Sequence, residues 1–310
     1  MSTTQTTLPA PAAVKVTRPG IYRMSAEQYH ADPVPGGSLS SSGARKLLPP
    51  SCPAHFQHER EHGQPTRKTF DLGTAAHKEV LGTGPELVLV DRPRWDTNEV
   101  KAQLTEIRQR GAIPLKRPEY EQVKEMAEAL RQHPEASKLF EPGTGEPEVA
   151  LFWEEAAQWA DGPDGDPVVH IEKVRCRALV DWLRYPVAGR YELPDYKTCV
   201  SAAPDKVGRV IDEHGYHIQG AWYRRAVRQL GLAGDDCRFL LVMQEKTRPY
   251  LVTVVEPDRD AMRLGEMRMR EALDIYAECT ATGRWPGYSD GIVLGELPPW
   301  ALRELDPEDR

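Results

Sequence analysis

The segment ALVDWLRYPVAGRYELPDYKT concentrates the side chains best suited to chemistry. One strand-like run ends at Asp181, and the next ends with Asp195, Tyr196 and Lys197. Residues two apart on a strand point to the same side, so Asp195 and Lys197 can share one site. If the two strands pair as neighbours, Asp181 joins them across the hairpin. Two carboxylates brought together repel unless a cation lies between them, and hard oxygen donors favour Mg²⁺ or Mn²⁺. Such an ion binds a phosphate oxygen and lowers the pKa of an attacking water. An adjacent ammonium can hold that water and neutralise charge developing on phosphorus. These groups suffice for phosphodiester hydrolysis. Asp-x-Lys is also a common pattern, equally compatible with ordinary strand-end residues and a salt-bridging Asp181, so the weight rests on what surrounds it.

The elements that must position these residues separate by periodicity. Residues 1–19, rich in Thr, Pro and Ala, read as a flexible tail. In SLSSSGARKLLPPSCPAHFQHER, the serines suit the cap of a short helix that stops before Pro49 and Pro50, and Cys52 and Pro53 open a second, the pair forming a lid or arm over a groove. The run TFDLGTAAHKEVLG offers an N-cap at Thr69, small residues and a Gly stop, which predicts a short helix carrying His77. A helical block is predicted from about Asn98 to Gln132, with Val123, Met126, Ala127 and Leu130 on its buried face. Beyond EPGTGEPE the period changes. EVALFW, VVHIEKVRCRALVDWL and RYELPDYKT read as strands, followed by a predicted helix from about Asp212 to Leu230. Strands in CRFLLVMQE and YLVTVVE and a long helix from about Pro257 to Thr282 complete the pattern. The order predicts an α/β fold with a central mixed sheet flanked by helices. Its expected parts are a helical N-terminal region over 20–145, a core over 146–283 and a tail over 284–310.

Further candidates follow from this placement. Gln219 and Tyr223 lie four apart and share a helix face, where the amide can bond a phosphate or an active-site group and the phenol can orient the strand being cut. The same face could equally pack Tyr223 beside Trp222. His77 follows two alanines, a setting shared by packed, surface and ligating histidines. Glu148 precedes the first core strand, beside Pro147, where a solvated residue is an ordinary reading. Gln244 and Glu245 end a strand and could stand behind the site. Arg224, Arg225 and Arg228 follow Tyr223, and Lys206 and Arg209 come before the helix, giving a local basic patch for DNA or a solvated helix face.

Locality matters, because 40 Lys and Arg against 47 Asp and Glu give a net charge of -7, so no whole-molecule field draws the protein to nucleic acid. Hydrophobic residues at 40% and charged residues at 28% describe a globular chain. The first residues lack the continuous apolar run of a secretory signal, and no later run is long enough to span a membrane. The cysteines, at 52, 176, 199, 237 and 279, are odd in number and scattered, so disulfides are not expected and a reducing cytoplasm is the natural reading.

Taken in order, these motifs resemble the PD-(D/E)XK nuclease superfamily and, within it, the RecE-like phage and prophage exonucleases, also described as exodeoxyribonuclease VIII-like. The likeness covers most of Gly20 to Trp300, through SLSSSGARKLL, LGTAAHKEVL, EVALFW, CRALVDWL, LPDYKT, GYHIQGAWYRRAV and FLLVMQEKTRPY. The Gln219–Tyr223 spacing is similar to the Gln-x-x-x-Tyr signature of RecB-type nucleases. The resemblance implies a restriction-endonuclease-like core in which His77 and Asp181 join Asp195 in holding Mg²⁺, with Mn²⁺ able to substitute, Lys197 as the catalytic lysine and Glu148 at the edge. It also implies digestion of linear double-stranded DNA from the 5′ end, a ring-shaped homo-oligomer such as a tetramer, and a RecT-type single-strand annealing protein as partner. Rival readings are an endonuclease or single-strand nuclease on the same fold, and a non-catalytic recombination scaffold, which could have lost both aspartates and Lys197 freely. Some relatives hold an iron–sulfur cluster through one upstream Cys and a close C-terminal group of three. Here Cys237 and Cys279 lie forty-two residues apart with no third nearby, so no cluster is expected.

Overall fold

A computed structural model describes residues 14–63, 69–160, 168–234, 236–298 and 301. The chain enters through β1 (Gly20–Tyr22), α1 (Ala26–His30), β2 (Leu39–Ser40), α2 (Ser41–Leu47) and α3 (Pro53–His62). Next come α4 (Thr69–Leu81), β3 (Leu87–Leu89), α5 (Asn98–Gln109), β4 (Ile113–Leu115), α6 (Arg117–Gln132) and α7 (Ala136–Leu139). The long strands β5 (Gly145–Ala160), β6 (Val169–Arg184) and β7 (Tyr191–Cys199) lead to α8 (Pro204–His214) and α9 (Tyr216–Gln229). β8 (Cys237–Glu245), β9 (Val252–Val255) and α10 (Arg259–Thr282) follow.

Alternation decides the layers. On β6, Cys176, Ala178 and Val180 turn toward a core shared with Trp222 of α9 and Leu273 of α10, while Asp181 lies on the other face with Arg177 and Leu179. β5 and β6 form a long antiparallel pair, with β1 antiparallel on the outer edge of β5 and β2 parallel on the far edge of β6. A second sheet pairs β7 parallel to β8 and β8 antiparallel to β9. A parallel pair needs a crossover, and α8 with α9 supplies it. The fold is mixed α/β with helices against the sheets, as predicted, but the expected central sheet is two ladders.

The split has a local cause. Among the described residues no ladder joins β6 to β7, and the hairpin pairing expected to align Asp181 with Asp195 is absent. The Tyr196 N–H instead donates to Asp181 Oδ2 at 2.8 Å, so a side chain accepts the bond that a neighbouring strand's carbonyl would otherwise take.

Other expectations change. The N-terminal region is not purely helical, because it supplies two strands of the core sheet and the separate β3–β4 pair. The single block from Asn98 to Gln132 is interrupted by β4, where Pro114 removes a helical donor and Ile113 and Leu115 are buried. The helix expected from Asp212 is two helices, broken at Gly215, whose φ of 64° is open to glycine at little cost. Gly265 of α10 lets that helix lie against α9, since a Cβ there would sit 2.2 Å from the His217 carbonyl oxygen. The N-cap at Thr69 and tail residues 1–13 and 302–310 lie outside the described residues or side chains. The rest of the N-terminal tail is packed in part, with Val16 buried beside Tyr29, Val34 and Phe152. At the other end Trp285 stacks on Phe56 at 5.6 Å. The serine-capped α2 forms as expected, with Ser40 Oγ accepting from the Gly43 N–H, a cap that typically contributes about 1 kcal/mol. No helix among the described residues is long and apolar enough to cross a membrane.

Candidate active site

Four elements converge on one cleft of about 580 Å³. β6 brings Asp181, β7 brings Lys197, α4 brings His77 and α9 brings Gln219 and Tyr223, while Ser41, Ser42 and Arg45 of α2 form part of the opposite wall. Asp195 lies behind this wall, with no exposed surface, and its Oδ2 meets the Lys197 ammonium. Apart from that ion pair Oδ2 has no donor. Gln219 Nε2 fixes the other oxygen at 2.8 Å and also donates to the Tyr223 hydroxyl at 2.9 Å, which in turn donates to the Leu179 carbonyl at 2.6 Å. The two residues expected to share a helix face therefore form one chain of hydrogen bonds that ends on Asp195. Tyr223 is also packed, edge-on against Phe239 at 6.0 Å, while its hydroxyl faces Gln219 and the Leu179 carbonyl.

His77 sits between two carboxylates. Its Nε2 lies 3.1 Å from Asp181 Oδ2 and its Nδ1 3.8 Å from Glu148 Oε1. Glu148 reaches it from a backbone φ of +48°, unusual for a residue with a Cβ and of the kind found where function holds a strained conformation.

Electrostatics divides the carboxylates. Burial and the neighbouring Asp181 charge push Asp195 well above the usual carboxylate range, to about 7, against the pull of Lys197. Burial also opposes ionisation of Asp181, but His77, Lys197 and the Tyr196 N–H outweigh it and hold Asp181 below its ordinary value. Burial alone would lower His77, yet the adjacent Asp181 charge raises it. Burial likewise opposes the charge on Lys197, and Asp195 and Asp181 more than restore it, so the ammonium stays protonated. Burial raises Glu148 against the attraction of His77.

This donor set fits a hard divalent cation in chemistry. Asp195 Oδ2 is a buried acceptor met only by a monovalent ammonium, and two carboxylates that resist joint ionisation would be relieved by a cation between them. The cage is not ready-made. Among the described residues no three His, Cys, Asp or Glu side chains converge tightly enough to ligate an ion, and His77 and Asp181 face each other as an ion pair at 3.1 Å. Mg²⁺ commonly takes only one or two carboxylates and keeps several waters, which suits so incomplete a protein shell.

The remaining expected residues lie elsewhere. Arg225 clasps Glu155 at 2.6 and 3.0 Å, and Arg224 lines a separate cavity with Arg238 and Glu256, so neither of these two members of the expected basic patch lines the cleft. Lys206 and Arg209 pair with Asp205 and Glu213 on α8. Glu245 accepts from the Ala202 N–H, while Gln244 is fully buried and does stand behind the site. Its Oε1 accepts from the Tyr196 hydroxyl at 2.6 Å and its Nε2 donates to the Met126 carbonyl at 2.8 Å. Tyr196, passed over in the sequence because it points away from Asp195 and Lys197, is thereby locked so that its N–H can hold Asp181. A lone amide in the apolar run FLLVMQ was the available signal. Tyr216, whose ring lies 5.6 Å from the Lys197 ammonium, gave none. All five cysteines are buried free thiols.

A sheet flanked by helices, with Asp181, Asp195 and Lys197 at one cleft, is the architecture of PDDEXK-type nucleases. Residues 40–295 match the PDDEXK-like domain of unknown function (DUF3799), and the chain belongs to that family. An Eubacterium rectale crystal structure named "Putative exonuclease" shares the fold at a TM-score of 0.53 and 14% identity, covering 92% of this chain and 100% of that one. A phage related exonuclease from Haemophilus somnus 129PT aligns at a TM-score of 0.29 and 11% identity, covering 80% and 96%. No curated protein matches the sequence.

Proposed function

We propose that this protein is a Mg²⁺-dependent exodeoxyribonuclease that hydrolyses linear double-stranded DNA from the 5′ end. The observation that carries the reading is the buried Asp195, fixed by Gln219 and ion-paired to Lys197, beside a cleft that also holds Asp181 and His77. Bound Mg²⁺, with Mn²⁺ as substitute, would be held by Asp181, Asp195 and His77 with Glu148 at the edge, and would supply charge on a phosphate oxygen and a more acidic water. The protein's own groups do the rest. Lys197, protonated and reaching the cleft, can hold the attacking water and meet negative charge as it develops on phosphorus. Gln219 and Tyr223 keep Asp195 in place, and Tyr196 does the same for Asp181. His77, drawn toward its protonated form by Asp181, would have to give up that proton to serve as a ligand.

The preference for linear duplex, the 5′ polarity, a ring-shaped homo-oligomer and service to a RecT-type annealing protein in phage-type recombination rest on the motif resemblance. The test is purified protein with Mg²⁺ given linear and covalently closed circular duplex in parallel. Loss of the linear form alone is expected. Equal loss of both would make the enzyme an endonuclease, and loss of neither would favour a non-catalytic scaffold.

A further inference from the structure

Away from the catalytic cleft, α9, β8 and the start of α10 enclose a second cavity of about 630 Å³, walled by Arg224, Arg238, Arg259 and Arg263 together with four acidic residues. The acids are already committed. Asp236 pairs with Arg190, Glu256 with Arg238, and Glu266 lies 3.9 Å from Arg228, while Asp258 caps α10 by accepting from the Ala261 N–H at 2.8 Å. Arg224, Arg259 and Arg263 have no carboxylate partner among the described residues. The Arg224 Nε is buried with no hydrogen-bond partner, and, unlike Arg177 and Arg184, whose Nε atoms are also unbonded, Arg224 has no carboxylate on its other nitrogens.

The sequence reinforces this reading. Arg259 and Arg263 stand four apart in the opening turns of a 24-residue helix, where like charges repel and the helix dipole disfavours cations. Sequences that break a local rule so plainly do so where something else compensates. An anion in the cavity would meet three guanidiniums against one carboxylate, Asp258, whose only partner among the described residues is a neutral N–H, and guanidinium forks match phosphate oxygens in pairs. Arg259 and Arg263 are exposed, so the phosphate they reach can belong to a long chain passing over the surface. The cavity is also coupled to the catalytic helix, because Arg224 directly follows Tyr223, and Phe239 in the cavity wall packs against the Tyr223 ring.

We infer that Arg224, Arg259 and Arg263 form a phosphate-binding anchor for the DNA backbone, separate from the catalytic cleft. The inference rests on the nuclease reading above. It is tested on the full chain in EDTA, by measuring binding of a 40-base-pair duplex across a salt series with a variant carrying Arg224→Gln, Arg259→Gln and Arg263→Gln. Each phosphate contact contributes about 0.9 to the slope of log affinity against log salt, so the slope should shrink by about 2 to 3 and affinity at low salt by roughly a hundredfold. The Arg→Lys triple should keep the slope. Melting temperature of the Gln variant should be equal to the parent's or higher, because a repulsive pair has been removed.

An unchanged slope would overturn the anchor while leaving the nuclease reading intact. Wild-type protein that neither binds nor cleaves duplex would end both. A third arm titrates inorganic phosphate against thermal stability. A phosphate response lost in the Gln variant, with an unchanged DNA slope, would make the cavity a small-anion site and reject the DNA anchor.

Discussion

Asp195 and Glu155 are both carboxylates buried against α9, and the chain treats them in opposite ways. Glu155, 3% exposed, is surrounded by fixed donors: Arg225 in two bonds, Arg270 at 3.4 Å, Gln229 at 3.2 Å and the Trp153 indole at 3.0 Å. Asp195, with no exposure, has Gln219 on one oxygen and only the Lys197 ion pair on the other. A buried charge saturated by guanidinium groups fastens elements together, here β5 to α9 and α10. A buried charge left short of partners, and repelled by a second carboxylate, is instead available for chemistry. Burial of an acidic residue in this fold thus says little about its role until its donors are counted.

The comparison breaks first at Lys197. Lys197→Ala is expected to leave folding and DNA binding in place and to lower kcat by three or more orders of magnitude, equivalent to about 4 kcal/mol of transition-state stabilisation. Near-normal cleavage with Mg²⁺ would remove the lysine from the mechanism. Glu155→Ala should do the reverse. Losing the carboxylate that Arg225, Arg270, Gln229 and Trp153 share should cost about 1 to 2 kcal/mol of stability, because the guanidiniums left behind are partly solvated, read by urea unfolding, while activity per folded molecule stays close to the parent's. A stable variant with lost cleavage would show that the Glu155 network is part of the site. His77→Ala comes next, with cleavage falling by about a hundredfold and melting temperature little changed. A destabilised variant whose activity falls only in proportion to its folded fraction would make His77 a packing residue.

What the sequence disclosed follows the same division. Asp195 and Lys197 were legible because strand alternation alone puts them on one face, and β5 to β7 because period-two runs are bounded by turn residues. The helix positions of Gln219 and Tyr223 were legible as a shared face, though not as a hydrogen-bonded chain. The pairing of Arg225 was not legible, because helical spacing cannot show that its partner is a glutamate seventy residues earlier in the chain. β1, β2, β3 and β4, of two or three residues each, are too short to leave a period, and they exist through partners far along the chain. Helix spacing likewise missed most of α8, which begins at Pro204, eight residues before the predicted start at Asp212, and with it the break at Gly215.

A smaller effect joins pH to metal. Asp195 binds a proton in the folded state up to about pH 7, whereas an unfolded carboxylate releases it near 3.9, so between these values folding takes up a proton. The stability this gives is complete below about pH 4 and is lost as pH rises through about 7. The raised His77 acts in the same direction, its contribution present below its unfolded value and lost as pH rises through the raised one, while the lowered Asp181 contributes stability that is lost only in acid. Metal-free protein should therefore melt at lower temperature at pH 8 than at pH 5.5. A cation that replaces these protons gains most where they are already gone, so Mn²⁺ should raise the melting temperature more at pH 8, and EDTA should reverse it. An equal Mn²⁺ shift at both pH values, or the same shift in Asp195→Asn, would place the ion elsewhere.

The finest test is Tyr223→Phe, because it removes one oxygen and keeps the buried ring against Phe239. The hydroxyl accepts from Gln219 and donates to the Leu179 carbonyl, so its loss frees the amide that fixes Asp195 and leaves one buried acceptor unpaired. The stability cost should be about 1 kcal/mol. The kinetic consequence separates two roles. If the phenol acts through Gln219 on Asp195, kcat falls severalfold with KM unchanged, since the transition state is reached from a less ordered site. If the phenol touches the DNA strand, KM rises and kcat holds. The contrast with Glu155 supplies the control: Gln229→Met removes one of that carboxylate's several donors and should alter neither constant, because the remaining guanidinium bonds are redundant. Asp195 has no such redundancy, so a side chain one step removed from it should still register in kcat.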